Sequence, residues 1–125
     1  MKTGLIFTDD DIRVVIAIES PIWKYHEKYD DNYYIKDDQV NECKYWKNVR
    51  TGIWFSNNHW CIGDLKHRGT GKCVIKAPGS SDQFPTDLQG KWLFWNPDSK
   101  QWINAGNDIT VTFWEELPYN KDCIE

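Results

Sequence analysis

Residues 63–73 come closest to a chemical motif, because they combine three glycines with three lysine or arginine side chains. A phosphate-binding Walker A loop needs Gly-x4-Gly-Lys-Ser/Thr. Counting back from the Gly-Lys pair at 71–72 places Lys66 where the first glycine belongs, and Cys73 replaces the hydroxyl that would hold magnesium. We therefore expect no nucleotide-binding loop. The segment instead predicts a cationic loop that meets a phosphate, sulfate or carboxylate group. Its basic side chains are Lys66, Arg68 and Lys72.

Other reactive side chains do not form a pattern that predicts catalysis. Cys61 lies two residues from His59, so a strand would place both on one face, but nothing else in the sequence favours an activated thiolate. Acidic runs at 9–11, 30–31 and 37–38 offer oxygens for calcium, yet EF-hand spacing is absent and turns favour Asp for other reasons. We predict no catalytic residues, no metal site and no cofactor.

The four cysteines stand at 43, 61, 73 and 123. An even count allows two disulfides, but the missing secretory signal favours free thiols, and the lack of a Cys-x-x-Cys pair argues against a structural zinc site. If the strands that flank the 63–73 loop pair with Gly63 opposite Lys72, then Ile62 lies opposite Cys73. Successive residues of a strand alternate faces, so Cys61 and Cys73 are expected on opposite faces and without a disulfide between them.

Size and composition indicate one globular domain spanning residues 1–125. Aromatic residues make up 15% of the chain and charged residues 27%. No apolar run approaches the roughly 18 residues of a transmembrane helix, and the N-terminus lacks a secretory signal, so we expect no membrane partner. This predicts a cytoplasmic protein, with an extracellular one as the alternative. The net charge is −4, but residues 44–76 hold seven basic side chains against one acidic.

Short aromatic and β-branched runs recur every 8–15 residues, separated by turn-forming residues, and no amphipathic helix is convincing. This pattern predicts an all-β fold, a single antiparallel meander that forms a small sandwich or barrel. The Asn57-Asn58 pair predicts a tight hairpin, because Asn tolerates positive φ. We place an irregular connection, with at most a short helix, before residue 32. Expected strands are 4–7, 12–18, 32–36, 42–47, 53–56, 59–63, 72–77, 91–96, 101–104 and 109–114.

Alternation along the strands divides the aromatic side chains into two groups. The expected core comprises Trp60, Ile62, Trp92, Phe94, Ile109, Val111 and Phe113. Eight tryptophans exceed what a small core needs, so some should be exposed and mark a contact surface, unless they form a second small core beneath the N-terminal segment. The candidate ligand-binding aromatics are Trp23, Trp46, Trp54 and Trp95.

Residues 32–114 carry a recurring pattern of aromatic motifs. It runs Asn-x-x-Trp-x-Ile-Gly (57–63), a glycine loop, a proline loop, Trp-x-Phe (92–94), Trp-Ile (102–103) and Asn-Asp-Ile-x-Val (107–111). The chain thereby resembles a tryptophan-rich β-module of unassigned function found in large eukaryotic proteins. The resemblance implies the all-β fold and carries over no functional residue. Residues 1–31 are then expected to be an N-terminal extension that packs on the module.

Aromatic side chains on a rigid β surface favour a non-enzymatic recognition module that binds a protein or glycan partner. The alternative is an anion or nucleic-acid binder that uses the basic residues of 44–76, with Trp46 and Trp54 as stacking residues. Nucleic acid is the less favoured partner, and an enzyme is the least favoured class.

Overall fold

The computed structural model describes residues 13–114, which form one nine-stranded antiparallel sheet curled into a half-barrel. The predicted all-β meander is confirmed. The sheet order is β8-β7-β6-β5-β4-β3-β2-β1-β9. The strands are β1 (Val14–Ile18), β2 (Asn32–Ile35), β3 (Trp46–Lys47), β4 (Thr51–Ser56), β5 (His59–Asp64), β6 (Ile75–Pro78), β7 (Leu93–Asn96), β8 (Gln101–Asn104) and β9 (Ile109–Phe113). The expected strand at 4–7, the acidic run at 9–11 and Cys123 lie outside the described residues.

Helical structure is short and lies between strands. The helix α1 (Trp23–His26) continues into a 3₁₀ turn (Glu27–Tyr29), and further 3₁₀ turns follow β5 (Leu65–His67) and precede β7 (Pro85–Asp87). Among the described residues, no helix has the length and apolar character needed to span a membrane.

One row of cross-strand neighbours explains why the sheet holds together. Trp46, Ile53, Ile62, Ile75, Phe94 and Ile103 lie opposite one another in succession from β3 to β8. Aromatic and β-branched residues that face each other across a sheet pack directly, and all of this row belongs to or packs against the main core. The row fixes the register of six strands, because a slip of one residue would expose every member.

The turn between β4 and β5 has the predicted hairpin conformation. Asn57 and Asn58 have φ of 52° and 61°, as a two-residue type I′ turn requires. The strands it joins pair in register from Ser56 opposite His59 to Thr51 opposite Asp64. Local turn chemistry thus builds the longest hairpin of the molecule.

The first described strand is an interior member of the sheet. β1 pairs with β2 on one side and with β9 on the other, with Ile18 opposite Ile109 and Ile16 opposite Val111. Part of the expected N-terminal extension therefore contributes a strand between the two ends of residues 32–114, rather than only packing on them.

The core contains six of the seven residues assigned to it from alternation. The predicted core position of Phe113 is wrong, because this residue is 38% exposed. It ends β9, the edge strand of the sheet that residues 13–114 form, and its ring packs edge-on against Phe84 with centroids 5.8 Å apart. Phe84 is itself 52% exposed, so this pair forms an apolar spot on the surface.

A second, smaller cluster lies on the opposite face of the sheet and corrects the predicted cysteine geometry. Tyr45, Trp54 and Cys61 are buried there, and Cys73 packs against them. Ile62 lies opposite Ile75, not opposite Cys73, because β6 begins only at Ile75. Cys73 precedes the strand, so the alternation of faces along the ladder does not apply to it, and it packs in the outer cluster. The expectation that the two thiols occupy opposite faces is therefore wrong.

Gly63 explains how Cys73 reaches this outer face. A Cβ atom at Gly63 would lie 3.1 Å from the Cys73 Cα and 3.2 Å from its Cβ. The segment that precedes β6 therefore crosses directly over β5 at the position where β5 has no side chain. Cys61 precedes Gly63 by two residues and therefore lies on the same face of β5, so this approach brings Cys73 into the cluster that contains Cys61.

Candidate functional site

A cleft of about 350 Å³, here called the Trp95 cleft, opens where the end of β5 and the segment before β6 meet β7 and the 3₁₀ turn after α1. Its volume is at the low end of the range for small-molecule sites. The side chains that matter chemically are Tyr29, Asp64, His67, Lys72, Cys73 and Trp95.

Asp64 is held at the mouth of the Trp95 cleft by two partners from the turn after α1. The Tyr29 hydroxyl donates to Asp64 Oδ1 at 2.9 Å, and Lys28 Nζ lies 2.8 Å from the same oxygen. Among the described residues both contacts use Oδ1, which leaves Oδ2 to accept from a ligand. The position of Asp64 follows from the chain itself, since it ends β5 and the next turn begins at Leu65.

The surroundings of Asp64 and Tyr29 in the Trp95 cleft fix the protonation state of both side chains at neutral pH. The hydrogen bond from Lys28, followed by that from Tyr29, holds the pKa of Asp64 below its usual 3.8, so the carboxylate is ionised. Burial, reinforced by the hydrogen bond to Asp64, raises the pKa of Tyr29 well above its usual 10, so its hydroxyl remains a donor. The cleft therefore presents one fixed anion beside the cationic Lys72.

The wall of the Trp95 cleft is aromatic and is supported from both sides. Trp95 is half-buried, and its ring meets Trp102 of the neighbouring strand edge-on at 5.6 Å. Lys76 Nζ lies 4.2 Å above the Trp102 ring, a cation–π contact. His26 Nε2 lies 2.7 Å from the Trp95 carbonyl oxygen, and since a carbonyl only accepts, this nitrogen carries the proton. Burial lowers the pKa of His26, which keeps its ring neutral.

The four candidate ligand-binding tryptophans divide into two pairs. Trp23 is 47% exposed on α1, and Trp95 lines the cleft. Trp46 and Trp54 are 1% and 0% exposed, so they are not among the exposed tryptophans that the sequence predicts. Trp46 faces the main core, while Trp54 is covered by the loop that follows β5, where its Nε1 donates to the Thr70 carbonyl at 2.8 Å. Neither ring can therefore stack on a ligand in this structure.

The three basic residues predicted to bind anions are not brought together at one point. Lys72 lines the Trp95 cleft. The Arg68 guanidinium lies 5.5 Å over the Tyr45 ring, and its Nη1 donates to the Tyr45 hydroxyl at 3.3 Å. Lys66 is exposed on the 3₁₀ turn after β5 and contributes to the lowered pKa of Asp64. Only Lys72 joins the aromatic candidate Trp95 in one site.

Sequence reasoning missed several members of this site. Tyr29 and Asp64 are 35 residues apart in the sequence, and no local sequence pattern predicts the hydrogen bond between them. Trp102 had a usable signal, because a turn at 97–100 places it opposite Trp95 in a regular hairpin. Within the described residues, no group of three or more His, Cys, Asp or Glu side chains is arranged to hold a metal ion.

The Trp95 cleft offers an apolar ring face, a carboxylate oxygen and an ammonium group within one small volume. That set can pack against a C–H surface and exchange hydrogen bonds with hydroxyl or charged groups. Comparison of the chain with protein-family models, curated proteins and solved structures finds no match.

Proposed function

We propose that this chain is a non-enzymatic recognition module for a glycan or protein partner, and that the Trp95 cleft receives a sugar ring. The observation that carries the proposal is the coincidence of Trp95, Asp64 and Lys72 in one cleft. Sugars combine an apolar face with a rim of hydroxyl groups. A half-buried ring beside a fixed carboxylate and an ammonium group matches both features.

The size and shape of the cleft favour a glycan over a protein. A stable protein interface buries about 800 Å² per partner, whereas a cleft of about 350 Å³ suits a small ligand or the end of a chain. A protein partner is supported by a different feature, the exposed pair Phe84 and Phe113. That pair lacks the convergent polar groups of the Trp95 cleft, so we place it second.

Two further expectations are part of the proposal. Anion or nucleic-acid binding through the basic 44–76 region remains the alternative, with Lys72 as its best-placed side chain. A reducing, cytoplasmic location is supported by Cys61 and Cys73, which lie side by side as free thiols. The resemblance to the tryptophan-rich module likewise stays a prediction.

A glycan array tests the glycan proposal. The labelled protein is applied to immobilised neutral and acidic oligosaccharides, and binding is then measured for Trp95→Ala and Trp23→Ala. We expect Trp95→Ala to weaken binding about tenfold or more, equivalent to ~1.4 kcal/mol. Trp23→Ala is the matched control, because Trp23 is exposed but lies outside the cleft lining. Melting curves of both variants verify that they are folded.

The array separates the candidates clearly. Equal binding by Trp95→Ala and wild type, or no glycan bound at all, would refute the glycan proposal. A single-stranded oligonucleotide serves as the competing probe. Affinity for it that falls steeply with salt and depends on Lys72 would support the nucleic-acid alternative instead.

A further inference from the structure

Two cysteines belong to one packed cluster on the outer face of the sheet, in surroundings that differ sharply between them. Cys61 is buried, 2% exposed, beside Trp54 and Tyr45. Cys73 is half-buried and lines the Trp95 cleft, which is open to solvent. The bare backbone at Gly63 lets the Cys73 segment cross β5 and places the two cysteines in one cluster.

We propose that Cys61 and Cys73 form a redox-active thiol pair, in which a hydroperoxide oxidises Cys73 and Cys61 then closes a disulfide with it. The inference is independent of what the Trp95 cleft binds. It rests on the packing of both cysteines in one outer cluster, on the opening of the Trp95 cleft beside Cys73, and on the positive charge nearby.

The electrostatic surroundings favour the thiolate at the accessible position. The neighbouring Cys61 thiol lowers the pKa of Cys73, while Cys73 raises that of Cys61. The Cys61 Sγ itself donates a long hydrogen bond to the His59 carbonyl oxygen at 3.9 Å. Lys76 adds attraction for a negative sulfur, and Lys72 lines the same cleft. Reactive cysteines are typically part-exposed and close to positive charge, as Cys73 is. The other titratable groups that line the cleft are Asp64, Tyr29 and His67.

The chemistry balances with a hydroperoxide as the only co-reactant. The Cys73 thiolate attacks the terminal peroxide oxygen, the O–O bond breaks, and the leaving alkoxide takes a proton to become an alcohol. Cys73 is then a sulfenic acid. The Cys61 sulfur attacks the Cys73 sulfur, the S–S bond forms, the S–O bond breaks, and the departing hydroxide takes the Cys61 proton as water. Two thiols lose two electrons to one peroxide, and an external thiol reverses the change.

Cys43 provides the internal comparison. It is buried in the main core on the other face of the sheet, and burial raises its pKa. It lacks the neighbouring thiol that Cys73 has in the outer cluster. The proposal therefore predicts that oxidation is selective for Cys73 among the three described cysteines.

Peptide mapping after peroxide treatment tests the pair. The full chain is reduced, freed of reductant, treated with about one equivalent of hydrogen peroxide, alkylated and digested with trypsin. Cleavage after Lys and Arg separates Cys61 in peptide 51–66, Cys73 in 73–76, Cys43 in 37–44 and Cys123 in 122–125. We expect 51–66 linked to 73–76, lighter by two hydrogen atoms than the separate reduced peptides. Dithiothreitol should restore both.

A serine variant identifies which thiol reacts first. In Cys61→Ser the sulfenic acid of Cys73 has no resolving partner, so dimedone should label peptide 73–76 several-fold more than in wild type. Cys43→Ser is the control and should form the 51–66 to 73–76 link as wild type does. The proposal is overturned if peroxide leaves wild-type 51–66 and 73–76 unlinked, or if Cys43 is oxidised as fast as Cys73. The wild-type map decides this even if a variant is unstable.

Discussion

Gly63 tests the geometry on which both the outer cluster and the Trp95 cleft depend. In Gly63→Ala the new Cβ would lie 3.1 Å from the Cys73 Cα, 3.2 Å from the Cys73 Cβ and 3.2 Å from the Trp54 Cη2. Ordinary contacts begin near 3.4 Å. The neighbours are a backbone carbon and a buried, rigid ring, so neither yields easily.

The expected cost of this substitution can be estimated from two opposing effects. Overpacking a well-packed site typically costs about 1–3 kcal/mol. Replacing glycine by alanine also lowers the conformational entropy of the unfolded chain, which stabilises the folded state by about 0.4–1 kcal/mol. The free energy of unfolding should therefore fall by about 1–2 kcal/mol, and the melting temperature by about 4–8 °C for a domain of this size.

Urea unfolding followed by tryptophan fluorescence measures the effect of Gly63→Ala. Gly71→Ala is the matched control from the same loop, because its nearest contact is Asn57 Nδ2 at 3.8 Å, an ordinary separation. The control should be neutral or slightly stabilising, by up to about 1 kcal/mol. If Gly63→Ala is as stable as wild type, the loop does not cross β5 as described.

Three other perturbations test separate parts of the molecule. Trp60→Ala should lower the free energy of unfolding by about 3–5 kcal/mol, since its ring is 2% exposed; an unchanged urea midpoint would contradict its core position. Asp64→Asn should cost about 0.2–1 kcal/mol at pH 7, because Lys28 is half exposed. The pKa of Asp64 is lower in the folded protein than in the unfolded chain. The stability difference between wild type and Asp64→Asn is therefore full above about pH 3.8 and is lost as the pH falls through the lower folded pKa; unfolding at pH 7 and pH 3 checks it. The pKa of His26 is lowered in the folded protein, so as the pH falls the unfolded chain binds the proton first. The free energy of unfolding of wild type should therefore decrease below about pH 6.5. His26→Gln should lack this decrease in unfolding curves measured from about pH 8 to 5.

The proposal for the Trp95 cleft and the proposal for the thiol pair concern neighbouring atoms but fail independently. Glycan binding is measured on the reduced protein through Trp95. The thiol pair is measured by mass without any ligand. A protein that forms the Cys61–Cys73 link but binds no glycan would retain the redox inference and lose the recognition proposal.

Local sequence was sufficient to predict most of the strands and the tightest turn. Alternation and β-branched composition depend only on neighbours along the chain, so β8 and the hairpin at Asn57-Asn58 could be derived directly. The same alternation assigned Ile62 and Phe94 to the inner row of the sheet. These features need no knowledge of which strand lies next to which.

Only the tertiary structure decided what covers each face of the sheet. Trp54 alternates outward and is a candidate for exposure from the sequence, yet a loop crosses it and accepts its indole hydrogen bond at Thr70. The same crossing, permitted by Gly63, shifts the start of β6 and places Cys73 beside Cys61. Tyr29 reaches Asp64 because the sheet curls and carries the turn after α1 onto the end of β5. Each contact joins segments separated by many residues, and a period of two along one strand carries no information about the segment that packs over it.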